Sequence, residues 1–499
     1  MTFGVEQSGL VGTCQGVPDL PPLFATLPIL LLCLLAQKPG QVGSGGGRWK
    51  GLARLGFGAG KLILLAVPLE PVIRGAIQAL PEAQTSTVAW MSLFAFGCQL
   101  YLVLSGAVDL LLGARQMLGR GVVEWFGAPF RAGGFTAFWR DWNQPLTKGP
   151  DFRRAALSLG AVLLAVVIWR GASWGTLAWA ALHLALLGLE RWRGRSLFAP
   201  LPLPVRAALT LAVVLISSML LFMPTLEEGL AHVRRLFVTS PATAYSVLLD
   251  ARLSTPWTIT CLWLGGLCCV AMPPASWLLS QSWRGWPIIG ILTGIMAGGM
   301  LARRGPAPRP DSIRAMIRHA VQWPLAVWMQ EGTADVFVGH EGWLYRQSEL
   351  DRLTMKREGH GSVGTLMAFA GHLRTAGVPL LVIAVPDKVA LYPEFIQPAE
   401  YAAPVQPPEF QSALDRLRGA GVTVLDPAAG LWRAQKRTPL YFRADSRWTP
   451  EATKEVVLAA AKFIHQTWPG VAINETPLIN ATILDHRVAG DLARALDPW

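Results

Sequence analysis

The sequence predicts a multi-span α-helical membrane domain of about seven to eight spans, followed by a water-soluble α/β domain. Three observations carry that prediction. With 52% hydrophobic residues, 15% charged residues and a mean hydropathy of +0.37, the chain is too apolar for an ordinary soluble protein of 499 residues. The apolar material is concentrated before residue 302, whereas the remainder alternates short apolar runs with charged helical patterns. Charge divides in the same way, with 22 basic against 12 acidic residues up to residue 302 and 22 against 20 beyond it. The boundaries that follow are a membrane domain over 1–301, a linker over 302–334 and a second domain over 335–499.

Candidate spans lie near 22–37, 55–80, 88–113, 155–169, 174–190, 204–223, 257–280 and 286–301. Several are shorter than the roughly 20 residues that a hydrocarbon core about 30 Å thick requires, so tilted neighbours or re-entrant pieces are expected among them. If all eight cross, the loops at 38–54, 114–154 and 191–203 share one side and hold most of the loop arginines and lysines. That bias assigns them to the cytoplasm. The Pro/Arg segment ARRGPAPRP (302–310) then emerges on the opposite face, and the second domain is expected in the periplasm. The N-terminus lacks a basic n-region and its first apolar run begins beyond residue 20, so no cleavable signal peptide is expected. GSGGGR (43–48) reads as a flexible loop.

The +12 net charge does not point to nucleic acid, because the basic residues sit in short loops between apolar runs. Cysteines 14, 33, 98, 261, 268 and 269 all lie in the membrane half without metal-ligand spacing and read as packing residues. His340, His372, His465 and His486 show no paired metal-ligand spacing either, and no phosphate-binding glycine loop is present. No metal site is expected.

Three stretches of the membrane half place polar groups in or beside apolar segments: QLYLVLSGAVDLLLG (99–113), FWRDWNQPL (138–146) and WRGASWGTLAWAALH (169–183). They contribute Ser105, Asp109, Arg140, Asn143, Arg170 and His183. An ionisable group at membrane depth is costly, so it faces a bundle interior or a watery cavity and marks either a structural pair or a site. Asp109 reads as one half of an ion pair with an arginine or as a site residue. His183 reads as a satisfied core histidine or as a proton-transfer group.

In this order the stretches resemble the membrane-bound O-acyltransferase (MBOAT) family, in the branch that acetylates alginate and related exopolysaccharides. Tyr101, Ser105, Gly106, Asp109 and Gly113 match its first motif, and Phe138, Trp139, Arg140 and Trp142 its second. Trp169, Gly171, Ala172, Trp174, Trp179 and His183 match its third, including the thirteen-residue separation of positions 170 and 183. The departures are Asn143 for a motif histidine and Arg170 for the histidine of Trp-His-Gly. A guanidinium stays protonated and cannot serve as a general base, so Arg170 cannot replace what it lost. The resemblance implies His183 as candidate base, with Asp109 and Arg140 supporting it. It also implies further spans before the first motif in family members, and hence an incomplete acyl-donor tunnel here.

The second half predicts a helix at 362–376, a strand at 380–386, a helix at 408–419, a strand at 422–425 and a helix at 450–466. That alternation argues an α/β layered domain. Within it GHEGWLYRQSEL (339–350), VPDKVALYPE (385–394) and YFRADSRWTPEA (441–452) resemble the SGNH-hydrolase-like acetyltransferases, over roughly residues 335–495. Such enzymes need a serine nucleophile, a histidine to take its proton and an aspartate to orient the histidine. By the resemblance, Asp445 and Trp448 are retained from Asp-x-His-Trp, but Arg447 stands in the histidine position. No serine follows Ser446. GDLARALDPW (490–499) resembles the lead-in to the nucleophile strand, so the domain is expected to be incomplete and inactive, with Asp445 and Arg447 forming an ion pair. His360 and Ser362 are too close in sequence to form a nucleophile and base pair.

The resemblance implies a protein of the bacterial inner membrane engaged in O-acetylation of an exported, alginate-like polysaccharide. It implies contact with the lipid bilayer, an acceptor polysaccharide and other acetylation or export proteins, an acyl donor such as acetyl-CoA, and no bound cofactor. The alternative is a non-catalytic relative that acts as a scaffold or polysaccharide-binding component, which the concurrent changes at Asn143, Arg170 and Arg447 favour. A transporter is disfavoured by the absence of paired repeats.

Overall fold

The computed structural model describes residues 47–142, 173–239, 241–271, 285–303, 321–322, 325–326, 328–333, 335–356, 361–470 and 490–496. The predicted spans near 22–37 and 155–169, together with Asn143, Arg170, His360 and His486, lie outside them. Among the described residues three helices are long and apolar enough to cross a membrane, Arg48–Gln78, Ser86–Met117 and Leu203–Phe222. A fourth is added if Ala244–Leu253 and Pro256–Ala271, bent by 60°, count as one. The chain divides into two compact units, one of Met1–Glu70, Ala89–Val238 and Cys261–Gly298, the other of Pro71–Val88, Thr239–Thr260 and Gly299–Trp499.

The first span is irregular. Helix α1 (Gly47–Gly60) passes into a π-helical stretch, Lys61–Ala66, then a 3-10 turn, Val67–Leu69, and then α2 (Glu70–Gln78). Pro68 has no amide proton to return to Leu64, so the ladder is interrupted there. The thiol of Cys261 donates to the Leu64 carbonyl at 3.6 Å and Gln99 Nε2 donates to that of Ala66 at 3.1 Å. Helix α3 (Ser86–Met117) packs backbone to backbone on α1. A Cβ on Gly58 would lie 2.7 Å from the Gly106 carbonyl oxygen, and one on Gly51 2.8 Å from that of Gly113. Small residues permit such approach where apolar burial drives no association.

The first unit continues with α4 (Phe135–Trp142), α5 (Trp174–Arg193), α6 (Leu203–Phe222) and the amphipathic α7 (Leu226–Phe237). Ser173 caps α5 through the Thr176 amide, and Gly194 ends it in the left-handed region at φ 64°. Thr225 caps α7 through the Glu228 amide.

Helix α8 (Ala244–Leu253) begins with a capping box of Thr243 and Ser246. Helices α9 (Pro256–Ala271) and α10 (Gly285–Arg303) follow. Beyond them the second unit holds an antiparallel hairpin of β1 (Val336–Val338) and β2 (Leu344–Arg346), with Val336 opposite Arg346 and Val338 opposite Leu344. Its turn passes through Glu341 and Gly342 at φ 54° and 77°.

Then come α11 (Gln347–Thr354), α12 (Gly361–Thr375), β3 (Leu381–Ile383), α13 (Lys388–Leu391), α14 (Phe410–Gly419), β4 (Thr423–Leu425), α15 (Ala428–Ala434), α16 (Pro450–Thr467) and α17 (Asp491–Leu496). Strands β3 and β4 pair in parallel, Leu381 with Thr423 and Ile383 with Leu425. The unit's main core gathers Leu248 of α8, Phe337, Trp343, Tyr345, Leu350 and Val389.

Candidate functional site

Three groups of polar side chains stand out, two in the first unit and one in the second. In the first unit the construction begins with Glu190, which lies two turns beyond His183 on α5 and therefore on the same face. Its buried carboxylate accepts from the amides of Phe135 at 3.0 Å and Thr136 at 2.8 Å, and from the Thr136 hydroxyl at 2.8 Å. It thereby satisfies the orphan donors at the start of α4, where the helix dipole favours an anion. One turn along α4, Trp139 Nε1–H donates to His183 Nδ1 at 3.1 Å.

The imidazole is fully buried and packs against Trp139 and Trp179, with ring centroids 5.4 and 4.8 Å away. Its Nε2 lies 3.0 Å from Ser217 Oγ, and that hydroxyl donates to the Val214 carbonyl at 2.9 Å. Because an indole nitrogen only donates, Nδ1 holds the lone pair and the neutral ring carries its proton on Nε2. The chain of donors runs from Trp139 through His183 and Ser217 to Val214.

Asp109 belongs to a separate buried network. Its Oδ1 accepts from Arg54 Nε at 2.9 Å and its Oδ2 from Lys61 Nζ at 2.7 Å. Arg54 in turn holds Glu124 with both terminal nitrogens, at 2.8 and 2.7 Å. Two cations and two anions therefore close on each other, which a buried charge requires. Arg140 ends α4 with an exposed side chain, 3.5 Å from Asp141.

In the second unit the site is the loop 441–448. Asp445, buried, accepts from Arg447 through the backbone amide at 2.9 Å, Nε at 2.9 Å and a terminal nitrogen at 2.6 Å. These Arg447 hydrogen bonds hold its carboxyl well below the usual carboxylate range. Arg447 itself is exposed, so the pair is half in water. Asp491, at the start of α17, accepts from the Ser446 amide at 2.7 Å, from the Ser446 hydroxyl and from Arg346 at 2.9 Å. Burial alone would push Asp491 up, but the Ser446 and Arg346 bonds outweigh it and hold it down. Gly490 makes this approach possible, since a Cβ there would fall 2.1 Å from the Ala444 carbonyl oxygen.

The back of the loop hangs on Lys388, the lysine of VPDKVALYPE. Its buried Nζ, with three protons at most, lies within hydrogen-bonding distance of four carbonyls, those of Leu344 and Phe442 at 2.7 Å, Arg443 at 2.8 Å and Asp445 at 3.1 Å, and sits 4.9 Å from the Trp343 ring centroid. Burial pushes it down to about 7. Burial, with Asp387 second, pushes the neighbouring Glu349 up to about 7, and its Oε2 has no hydrogen-bond partner.

Residues 336–498 match the family described as "SGNH hydrolase-like domain, acetyltransferase AlgX". The C-terminal domain is SGNH-like. The chain is also 27% identical over 137 residues to the probable alginate O-acetylase AlgJ of Pseudomonas aeruginosa, covering 28% of this chain and 35% of that protein. It is 29% identical over 156 residues to the probable alginate O-acetylase AlgI of Azotobacter vinelandii, covering 28% and 31%. A peptidoglycan O-acetyltransferase of Helicobacter pylori is 25% identical over 116 residues, covering 21% and 22%. The chain thus spans only 22% to 35% of the length of these relatives. No solved structure matches.

Sequence reasoning singled out His183, Asp109, Arg140, Asp445 and Arg447, together with Asn143 and Arg170, which lie outside the described residues. The structure joins Asp445 to Arg447, sets Asp109 with Arg54 and Lys61, and gives His183 the partners Trp139 and Ser217. It adds Glu190, Glu124, Lys388, Glu349 and Asp491, none of which was anticipated. For Lys388 a signal existed, because a charged residue followed by the apolar run VAL inside a recognised motif needs a buried partner. Among the described residues no cluster of metal-ligating side chains is present.

Proposed function

We propose that this chain is a membrane-bound O-acyltransferase of the MBOAT type, acting in the O-acetylation of an exported, alginate-like polysaccharide. Under this reading the SGNH-like domain binds the polysaccharide or holds an acetylation complex together and does not catalyse transfer. The observation that carries it is the Asp445–Arg447 pair. The carboxylate that would orient a histidine is neutralised by a guanidinium, which cannot shuttle a proton.

Acyl transfer then belongs to the membrane half. The lone pair on His183 Nδ1 is held by an indole N–H, the position that an attacking sugar hydroxyl would take to give up its proton. Ser217 accepts from the opposite nitrogen, so Nδ1 is the ring's one basic position, and it opens to a hydroxyl only when the Trp139 indole is displaced. The donor would be an acyl thioester such as acetyl-CoA, with no resident cofactor. The protein would reside in the inner membrane with its SGNH-like domain in the periplasm, alongside other acetylation or export proteins. The relatives named for alginate and peptidoglycan O-acetylation support the substrate class.

A second reading, a scaffold without catalysis, is favoured by the complete hydrogen bonding of His183. Ester-linked acetate on the exported polysaccharide of a deletion strain decides between them. Complementation by the native gene but not by His183→Ala supports the transferase, and equal restoration by both supports the scaffold. Restoration by neither removes acetylation from consideration.

A further inference from the structure

The SGNH-like domain is not built from residues beyond the linker alone. Helix α8 and the turn around residues 78–85, both preceding residue 302, lie in the same compact unit as that domain. Helix α8 carries charged residues within its apolar run. Leu248, Leu249 and Leu253 are fully or almost fully buried, while Asp250 and Arg252 interrupt the apolar run.

Leu248 joins the core that contains Phe337, Trp343, Leu350, Leu353 and Val405, and α8 packs on α11. Polar contacts surround this apolar centre. Arg252 pairs with Asp351 at 2.7 Å, and the Tyr245 hydroxyl donates to the Gln406 carbonyl at 2.9 Å. The turn adds backbone pairing. Leu80 N–H donates to the Thr354 carbonyl at 2.9 Å and Lys356 N–H to that of Gln78 at 2.6 Å, which makes Ala79 and Met355 an antiparallel pair. Thr85 donates to Asp250 at 3.0 Å and Thr243 to the Glu82 carbonyl at 2.9 Å, tying turn and helix together.

We propose that the face of the SGNH-like domain presented by Leu350 and Leu353 of α11 is a docking surface whose partner is helix α8 with the 78–85 turn. The domain is thereby completed by two segments that precede the linker in sequence. Residues 335–499 separated from α8 would expose that apolar face. The proposal is independent of whether the protein transfers acyl groups.

The full chain in membranes tests it. All six native cysteines precede residue 302, so a disulfide reaching the SGNH-like domain must use an introduced thiol. Ala79 and Met355 flank no hydrogen bond between themselves, the pairing that brings Cα atoms to about 4.5 Å and suits a disulfide. Oxidation of Ala79→Cys/Met355→Cys is expected to yield a disulfide between these two positions in most molecules, identified by mass spectrometry of the peptides.

Arg252→Asp is expected to speed proteolysis of the SGNH-like domain about tenfold, which is an opening equilibrium shifted by about 1.4 kcal/mol, and adding Asp351→Arg to restore resistance. Leu248→Asp should give a larger loss of resistance. Absence of the disulfide, or proteolysis unchanged by Arg252→Asp, would overturn the proposal. If Leu248→Asp fails to accumulate, the charge-reversal pair still decides.

Discussion

Asp109 and Asp445 are both buried aspartates held by an arginine, yet the two pairs are different objects. Arg54 has a side-chain exposure of 1%, whereas Arg447 has 65%. Arg54 also binds Glu124, and Lys61 completes the balance, so no member of that set can leave without stranding a charge. Arg447 can swing into water and leave Asp445 with its remaining hydrogen bonds from the backbone amides of Arg447 and Asp491. Burial of the cation, more than the identity of the pair, decides what each interaction does. The first pair joins two helices; the second closes a half-exposed pair within one loop.

The largest expected effect is therefore at Arg54. Arg54→Met should destabilise the detergent-solubilised protein by about 3–5 kcal/mol, the usual consequence of removing one partner of a buried pair. A melting temperature unchanged from the native protein would show that Asp109 and Glu124 find other partners. Lys388→Met comes next, because it strands carbonyls of Leu344, Phe442, Arg443 and Asp445. A loss of about 2–4 kcal/mol is expected, read from unfolding of the second unit.

Glu349 provides the pH test. Its carboxyl is raised from 4.5 to about 7, so between those values the folded state binds more protons than the unfolded state and stability falls as pH rises. Glu349→Gln should flatten that slope and raise stability above pH 7 by about 2 kcal/mol. An unchanged slope would mean that Glu349 stays ionised through its attraction to Lys388. The smallest effect is expected at Arg447. Because its guanidinium is exposed and screened, Arg447→Ala should leave the melting temperature within about 2 °C of the native value, and a larger drop would make it a structural residue.

The α/β half was the more legible in the sequence. Helices predicted at 362–376, 408–419 and 450–466 are found at Gly361–Thr375, Phe410–Gly419 and Pro450–Thr467. The reason is physical: each is a long pattern bounded by Gly, Pro or a capping residue. The hairpin of β1 and β2 went unread because three-residue strands carry no measurable alternation. Of the predicted strand at 380–386, only Leu381–Ile383 pairs.

Site partners were harder. An arginine was expected near Asp109, but nothing in the pattern selects Arg54 from 55 residues away. Lys388 and Glu190 act on backbone carbonyls and amides, which every residue possesses and no motif displays. The membership of α8 in the second unit was hidden for a related reason. Its capping box marks where the helix begins, but its neighbours are about a hundred residues distant in sequence, and no local pattern names them.

The central claim is that acetylation runs through His183 and not through the Asp445 loop. It is tested most directly by measuring ester-linked acetate on the exported polysaccharide of a deletion strain carrying His183→Ala or Arg447→Ala at matched protein levels. Loss of acetate with His183→Ala and native acetate with Arg447→Ala is the predicted result. Retained acetate with His183→Ala together with its loss in Arg447→Ala would contradict the account and return the chemistry to the SGNH-like domain.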